Sequence, residues 1–169
     1  INAIIGQPRN IVHNSAGTTR DALSTRYNLF GFDFLIVDTA GIRKKSKEME
    51  DVEFYSVMRS IRSIETADVC VLMIDASEGL QSQDLNLFSL VQRNNKGIVI
   101  VVNKWDLIDK DGKTHLEFEQ KIRSKIAPFD DVPIVFTSVI NKQRIYKVLE
   151  TVREVYASRS RQIATSEPN

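Results

Sequence analysis

Cysteine is nearly absent from this chain, and several other features are missing altogether. The single cysteine, Cys70, lies in an apolar run and cannot form an internal disulfide bond, which favours a reducing compartment and a buried core position. No apolar run approaches the ~20 residues of a membrane-spanning helix, and no signal sequence is visible. These absences predict a cytoplasmic protein that does not cross a membrane.

Charge of one sign is also lacking. Lys and Arg number 23 against 22 Asp and Glu, which gives a formal net charge of +1 at pH 7. A chain so nearly balanced has no global attraction for nucleic acid or for anionic lipid surfaces. The length of 169 residues suggests one domain, and 42% hydrophobic residues can supply its core.

A phosphate-binding loop of the form G-x-x-x-x-G-K-[ST], whose backbone N–H groups would hold phosphates, does not occur in the sequence. The chain has no initiator Met, and residues 1–6 read as the second half of an apolar helix that ends at Gly6. This segment resembles the helix that follows a phosphate-binding loop. We therefore expect an N-terminally incomplete fragment that is inactive without that loop.

Strands and helices alternate along the rest of the chain. Residues 24–30 and 34–38 flank Gly31 as a hairpin-like pair of strands, and the apolar runs at 98–102 and 133–137 read as further strands. Apolar residues recur at helical spacing in segments that we expect to face the core: Phe54, Met58, Ile61 and Ile64; Leu85, Phe88 and Val91; and Ile145, Val148, Leu149, Val152 and Val155. The pattern predicts an α/β fold, a mostly parallel sheet with helices on both faces.

The most informative motif follows the strand at 98–102 and consists of Asn103, Lys104, Trp105 and Asp106. Ligands of open α/β sheets bind beyond the carboxyl ends of the strands. The Asp106 carboxylate can accept hydrogen bonds from guanine N1–H and the exocyclic amine, whereas adenine would leave it unpaired at a cost of about 1–3 kcal/mol. Asn103 can donate to the base edge and tie neighbouring loops together, and the Lys104 stem can lie over the base. Alone, the motif would also fit a polar loop.

A second motif follows the apolar strand at residues 34–37. In P-loop nucleotidases an aspartate at this point holds Mg²⁺, usually through water, and a glycine brings a backbone N–H to the γ-phosphate. The residues concerned are Asp38, Thr39, Ala40, Gly41 and Ile42, with Asp38 as the candidate metal ligand. Taken alone, a strand followed by a glycine turn is an equally good interpretation.

A third motif lies upstream of both, in a polar stretch without periodicity that contains Gly17, Thr18 and Thr19. A threonine hydroxyl there could complete the Mg²⁺ shell when a triphosphate is bound and so order a switch loop. Thr19 is the candidate metal ligand in preference to Thr18. A turn with a helix cap is the ordinary alternative, but the three motifs in this order are far more specific than any one of them.

In this order the motifs resemble the second, third and fourth nucleotide motifs of the translation-factor-like GTPases. A fifth motif follows the last strand in that group, and Ser138, Val139 and Ile140 occupy its position here, where their backbone N–H groups could reach guanine O6. The resemblance implies a three-layer P-loop NTPase fold, the Ras-like G domain. It also implies GTP or GDP and Mg²⁺ as ligands.

A closer resemblance, to the Der (EngA) family of bacterial double-Era-like GTPases, covers nearly the whole chain. It rests on residues 37–46, 54–56, 61–65 and 103–106. It implies that residues 1–158 form the second GTPase domain of a tandem pair and that residues 159–169 lead toward a KH-like domain, with both neighbouring domains outside the chain. Because this family assists assembly of the large ribosomal subunit, the resemblance implies a large-subunit particle or rRNA as partner.

Ile42 stands where Ras-like GTPases place a Gln that orients the attacking water. An apolar side chain cannot do this, so we assign no residue as general base. Related GTPases of this group use a monovalent cation, usually K⁺, in place of an arginine finger, and K⁺ dependence is therefore a hypothesis. Arg43, Lys44, Lys45 and Lys47 form a basic cluster that is either a solvated surface or a patch for rRNA phosphates.

Two other interpretations stay open. A fragment without a phosphate-binding loop could be a nucleotide-incompetent scaffold that binds ribosomal particles or RNA. Another GTPase of the Era or tRNA-modifying type is the second alternative. Era-like members more often carry Pro at the position of Ala40, and the tRNA-modifying branch usually ends in a Cys-containing tail that this chain lacks.

Overall fold

A computed structural model describes residues 23–38, 61–109, 111, 113–139 and 144–166. The chain divides into two compact units, Ile1–Ala67 and Asp68–Asn169. The first unit contains strands β1 (Leu23–Leu29) and β2 (Phe32–Asp38) and the helical residues 61–66. The second unit contains the following elements: β3 (Val69–Asp75), α1 (Ser82–Arg93), β4 (Gly97–Asn103), a 3₁₀ turn (Trp105–Leu107), α2 (Thr114–Ile126), β5 (Ile134–Phe136) and α3 (Ile145–Ser166).

Strands β1 and β2 form an antiparallel hairpin, with Leu29 opposite Phe32 at the turn. The turn residues, Phe30 and Gly31, both have positive φ, 53° and 77°. Two-residue hairpin turns of this kind need positive φ at both central positions, a conformation that glycine adopts without steric cost. The predicted hairpin is confirmed. Phe30, predicted to end the first strand, lies in the turn instead, because a two-residue turn between Leu29 and Phe32 consists of Phe30 and Gly31.

Strands β3, β4 and β5 form a parallel sheet in that order. The central strand, β4, is buried from Gly97 to Val102, so both of its faces are covered. A strand buried on both faces carries an uninterrupted apolar run, which explains why its sequence does not alternate. The strand predicted at 98–102 is confirmed and extends by one residue at each end, whereas the strand predicted at 133–137 is shorter, Ile134–Phe136.

Helix α3 covers one face of this sheet with its apolar stripe. A buried cluster joins Val148 to strand residues, and further valines pack against it; the set is Val69, Val99, Val101, Val135, Val148, Val152 and Val155. The predicted stripe on the final helix is therefore confirmed. The helix runs through Ser166 and so crosses the domain boundary predicted between residues 158 and 159, which stays a prediction.

The remaining apolar stripes fall on helices where the structure describes them. Phe88 and Val91 are buried on α1, which contacts β3 and β4. Ile61 and Ile64 are helical, while Phe54 and Met58 lie outside the described residues. Among the helices that the structure describes, none is long and apolar enough to span a bilayer.

Candidate functional site

The carboxyl ends of the three parallel strands meet at one edge of the sheet, and polar side chains follow each strand. The register places Asp75, the last residue of β3, beside Asn103, the last residue of β4. Next to them, the Thr137 N–H after β5 donates to the Val102 carbonyl at 2.8 Å. This is the edge at which open α/β sheets bind ligands.

Asn103 joins the loop after β4 to the loop after β5. Its Oδ1 accepts hydrogen bonds from the Val139 N–H at 3.3 Å and from the Thr137 hydroxyl at 3.4 Å. The Trp105 N–H adds a hydrogen bond to the Thr137 carbonyl at 3.1 Å. The loop connection predicted for Asn103 is therefore present, and the Val139 N–H takes part in it.

Asp106 is held by Ser138, which lies 32 residues further along the chain. The Ser138 side chain is completely buried, and its hydroxyl donates to Asp106 Oδ1 at 2.5 Å. Asp106 is itself only partly buried. The structure thus brings two separately predicted motifs into direct contact, and the hydrogen bond restricts the orientation of the Asp106 carboxylate.

Trp105 anchors the loop that carries Lys104 and Asp106. Its ring lies edge-on to Phe136 and Phe118, with centroid separations of 4.6 and 5.4 Å. Edge-to-face aromatic pairs contribute about 0.5–1.5 kcal/mol beyond the area that they bury. Trp105 therefore fixes this loop against β5 and α2.

Lys104 forms an ion pair with the end of β3. Its backbone is left-handed, with φ 60° and ψ 31°, and its Nζ lies 2.6 Å from Asp75 Oδ2. The other oxygen, Oδ1, accepts hydrogen bonds from the Ser77 hydroxyl at 2.6 Å and the Ser77 N–H at 3.0 Å. The Lys104 ammonium first, and then the Ser77 hydroxyl, lower the pKa of Asp75 to about 2, because both stabilise the ionised carboxylate.

Asp75 and Ser77 are candidate site residues to which none of the sequence motifs pointed. A signal existed, because Asp75 ends an apolar run just as Asp38 and Asn103 do. Its significance depends on β3 lying beside β4 in parallel register. That neighbour relation is not encoded in either strand alone.

Other predicted site residues lie outside the described part of the chain: Gly17, Thr18, Thr19, Thr39, Ala40, Gly41, Ile42 and Ile140, together with the basic cluster Arg43, Lys44, Lys45 and Lys47. Asp38 ends β2 in the first unit, where its backbone pairs with Leu23, but its side chain is not among the described groups. Among the described residues, no group of three or more His, Cys, Asp or Glu could hold a metal ion. The Mg²⁺ ligands at Thr19 and Asp38 stay predictions.

Comparison with known proteins identifies relatives of this chain. The model of the family described as "50S ribosome-binding GTPase" matches residues 1–104. GTPase Der of Phocaeicola vulgatus is 61% identical over 170 residues, and GTPase Der of Bacteroides thetaiotaomicron is 62% identical over 170 residues. Each match covers 100% of this chain and 39% of the relative, so the chain spans 39% of the length of these relatives.

Solved structures of Era share the fold. An Era in complex with MgGDPNP and a segment of 16S ribosomal RNA superposes with a TM-score of 0.74 at 27% sequence identity, covering 91% of this chain and 50% of that one. A variant of Era from Aquifex aeolicus bound to GDP and AlF₄⁻ gives the same values. The α/β fold of the Ras-like G domain is therefore confirmed. Together with the family match over residues 1–104, it shows that this chain belongs to the 50S ribosome-binding GTPase family.

Proposed function

We propose that this chain binds guanine nucleotides at the carboxyl edge of β4 and belongs to a GTP hydrolase that acts in assembly of the large ribosomal subunit. The observation that carries the proposal is the hydrogen bond from the buried Ser138 hydroxyl to Asp106 Oδ1 at 2.5 Å. It holds in place the carboxylate whose hydrogen bonding separates guanine from adenine.

Each residue of the proposed base site has a distinct task. Asp106 accepts hydrogen bonds from guanine N1–H and the 2-amine. Because Asn103 Oδ1 is occupied by Val139 and Thr137, the amide N–H groups of Asn103 donate to the base edge. The Lys104 stem would cover the base plane, and the loop of Ser138, Val139 and Ile140 is assigned to O6.

The phosphate chemistry is proposed for the other motifs. Asp38 and Thr19 would hold the Mg²⁺, which when bound would offset the negative charge of the phosphates. Thr39, Ala40, Gly41 and Ile42 are assigned to the γ-phosphate, and Gly17 and Thr18 are assigned to the switch. Because Ile42 is apolar and cannot orient water, we propose that K⁺ supplies further positive charge during hydrolysis.

The partners proposed are a large-subunit particle or its rRNA, a neighbouring GTPase domain and a KH-like domain, with the protein in the cytoplasm. The Der relatives are longer than this chain, which supports additional domains. The solved Era complex contains 16S ribosomal RNA, and the matched family is named for 50S ribosome binding. Both observations support a ribosomal partner.

Asp106→Asn tests the base site. Xanthine carries a carbonyl where guanine has its 2-amine, so an amide that donates a hydrogen bond should favour xanthine. In the full-length protein, we expect Asp106→Asn to lower the affinity for GDP by about a hundredfold and to make xanthosine diphosphate (XDP) the preferred ligand. The measurement is a titration of the unaltered protein and of Asp106→Asn with GDP, XDP and ADP.

Asp109→Asn provides the matched control, because this exposed carboxylate lies three residues further along the same loop. It should leave the affinities for GDP and XDP unchanged. Retention of guanine preference by Asp106→Asn would contradict the proposed base site. Failure of the unaltered protein to bind GDP would favour the nucleotide-incompetent scaffold instead.

A further inference from the structure

We propose that Asp75, supported by Ser77, is a positioning residue for guanine binding that acts through Lys104. By holding the Lys104 ammonium, it fixes the lysine stem at the edge of the sheet before the base arrives. This inference rests on the proposed function of the same site and adds two residues to it.

The two oxygens of the Asp75 carboxylate have separate partners. Oδ2 lies 2.6 Å from Lys104 Nζ, while Oδ1 accepts both the hydroxyl and the backbone N–H of Ser77. The Asp75 side chain is only 9% exposed, whereas that of Lys104 is 50% exposed. The carboxylate is therefore a fixed point inside the edge, and the lysine extends from it toward solvent.

The backbone around Asp75 is held as firmly as its side chain. The Asp75 carbonyl accepts hydrogen bonds from the Gly79 N–H at 2.9 Å and the Glu78 N–H at 3.1 Å. The Ala76 N–H donates to the Asn103 carbonyl at 2.9 Å, which continues the pairing of β3 and β4 one residue beyond β3. The end of β3 and the end of β4 are therefore joined by a backbone hydrogen bond next to the ion pair of Asp75 and Lys104.

Most exposed ion pairs contribute little to stability, because water screens the charges and two long side chains must be ordered. The pair of Asp75 and Lys104 differs, since one partner is nearly buried and accepts hydrogen bonds from three groups. The pKa of Asp75 is lowered to about 2 because Lys104 and Ser77 stabilise its ionised form. The carboxylate is therefore ionised at neutral pH, where it pairs with Lys104.

A fixed lysine lowers the entropic cost of binding a base. A free lysine side chain has four flexible torsions, and ordering them when a ligand binds opposes affinity. Because Asp75 orders the side chain in advance and neutralises its charge, the methylene stem of Lys104 is available as an apolar surface for the base. Loss of Asp75 should therefore weaken nucleotide binding only while Lys104 is present.

A double-mutant cycle of Asp75→Asn and Lys104→Met tests this dependence. We expect Asp75→Asn to raise the dissociation constant for fluorescently labelled GDP about tenfold. In the Lys104→Met background the same substitution should have no further effect, because the group through which Asp75 acts is gone. Equal effects of Asp75→Asn in both backgrounds would overturn the inference, since a purely structural role does not depend on Lys104.

A second double-mutant cycle combines Ser77→Ala with Lys104→Met. Ser77→Ala removes one hydrogen bond to Asp75 and keeps the carboxylate, so this cycle can be used if Asp75→Asn does not fold. Ser77→Ala should weaken GDP binding about threefold in the presence of Lys104 and not in its absence. Glu150→Gln is the control, because it removes a carboxylate from an exposed ion pair with Lys147 at 3.7 Å and should leave GDP affinity unchanged.

Nucleotide binding by the unaltered protein distinguishes failure of the role proposed for Asp75 from failure of the proposed function. If it binds GDP in preference to ADP and the cycle is additive, the role of Asp75 is wrong while the proposed base site stands. If it binds neither nucleotide, the proposed function itself fails.

Discussion

The carboxylates of Asp106 and Asp75, both at the edge of the sheet, are held by different partners. The partners determine which carboxylate oxygens are able to accept a hydrogen bond from a ligand. Within the described part of the chain, Asp106 accepts a hydrogen bond from the neutral hydroxyl of Ser138 at Oδ1, which leaves Oδ2 able to accept from a ligand. Both oxygens of Asp75 are engaged, one by Lys104 and one by Ser77. Asp106 is therefore suited to read a base, whereas Asp75 is suited to hold a side chain.

The pKa of Asp75 leads to a prediction about stability. This pKa lies near 2 in the folded protein, below the ordinary value of 3.8, so folding favours the ionised form. A carboxyl group with a lowered pKa contributes stability that is present above its unfolded pKa and is lost as pH falls through the folded value. Asp75→Asn should thus destabilise the protein at neutral pH, and the difference from the unaltered protein should shrink as pH falls from about 4 to about 2.

Urea unfolding of both proteins across this pH range measures that difference. Glu150→Gln should differ little from the unaltered protein at any pH, because its ion pair is exposed. A difference for Asp75→Asn that stays constant down to about pH 2 would show that the carboxylate is not the source of the stability.

Among the secondary structure elements, β4 and α3 are in close contact at Gly97. A Cβ at this position would lie 2.7 Å from Val155 Cγ1 and 3.0 Å from Arg159 Cδ. The Arg159 guanidinium also donates to the Asn95 carbonyl in the turn before β4. The helix can therefore pack on the first residue of the central strand only because that residue lacks a side chain.

Gly97→Ala should destabilise the protein by about 1–3 kcal/mol, since the added methyl group overpacks the contact with Val155. Val155 is β-branched, and its stiff side chain cannot easily turn away. Combining Gly97→Ala with Val155→Ala should cost less than the sum of the two single substitutions, because the second removes the clashing Cγ1. Guanidinium unfolding of the three variants provides the measurement, and strictly additive costs would contradict the steric explanation.

For the molecule as a whole, the proposed tasks fall into two compact units. The residues proposed to read the base, including Asn103 and Asp106, belong to the second unit, while the proposed metal ligands Thr19 and Asp38 belong to the first. We therefore predict that the proposed base recognition and the proposed phosphate chemistry can be perturbed separately. Asp106→Asn addresses the first, and the choice of monovalent cation addresses the second.

Replacement of K⁺ by Na⁺ should lower GTP turnover by the full-length protein on the order of tenfold. The reason is that Ile42 cannot orient the attacking water, so the proposed mechanism depends on the positive charge that K⁺ would supply. Affinity for GDP should change little, since the proposed base contacts involve no monovalent cation. Steady-state hydrolysis in KCl and NaCl at equal ionic strength measures the effect. Equal turnover in the two salts would remove K⁺ from the mechanism.

Local patterns in the sequence were sufficient for several elements. The β-branched run around Ile100 predicted the central strand, the stripe from Ile145 to Val155 predicted α3, and Gly31 predicted the hairpin turn. These elements could be predicted from the sequence because the pattern of buried residues in a strand or helix, and the residues of a turn, are close together in the sequence. The motif at Asn103–Asp106 could be read for the same reason, as its residues are consecutive.

The contacts that complete the edge of the sheet came from packing between distant segments. Ser138 reaches Asp106 across 32 residues, and Asp75 meets Lys104 because β3 lies beside β4. Strand order depends on which surfaces pack best in the folded chain, and no single strand carries that information. The residues proposed to read the base could therefore be identified from the sequence, because they are consecutive. The groups that hold them in place, Ser138 and Asp75, could be identified only from the tertiary structure, because they come from distant segments.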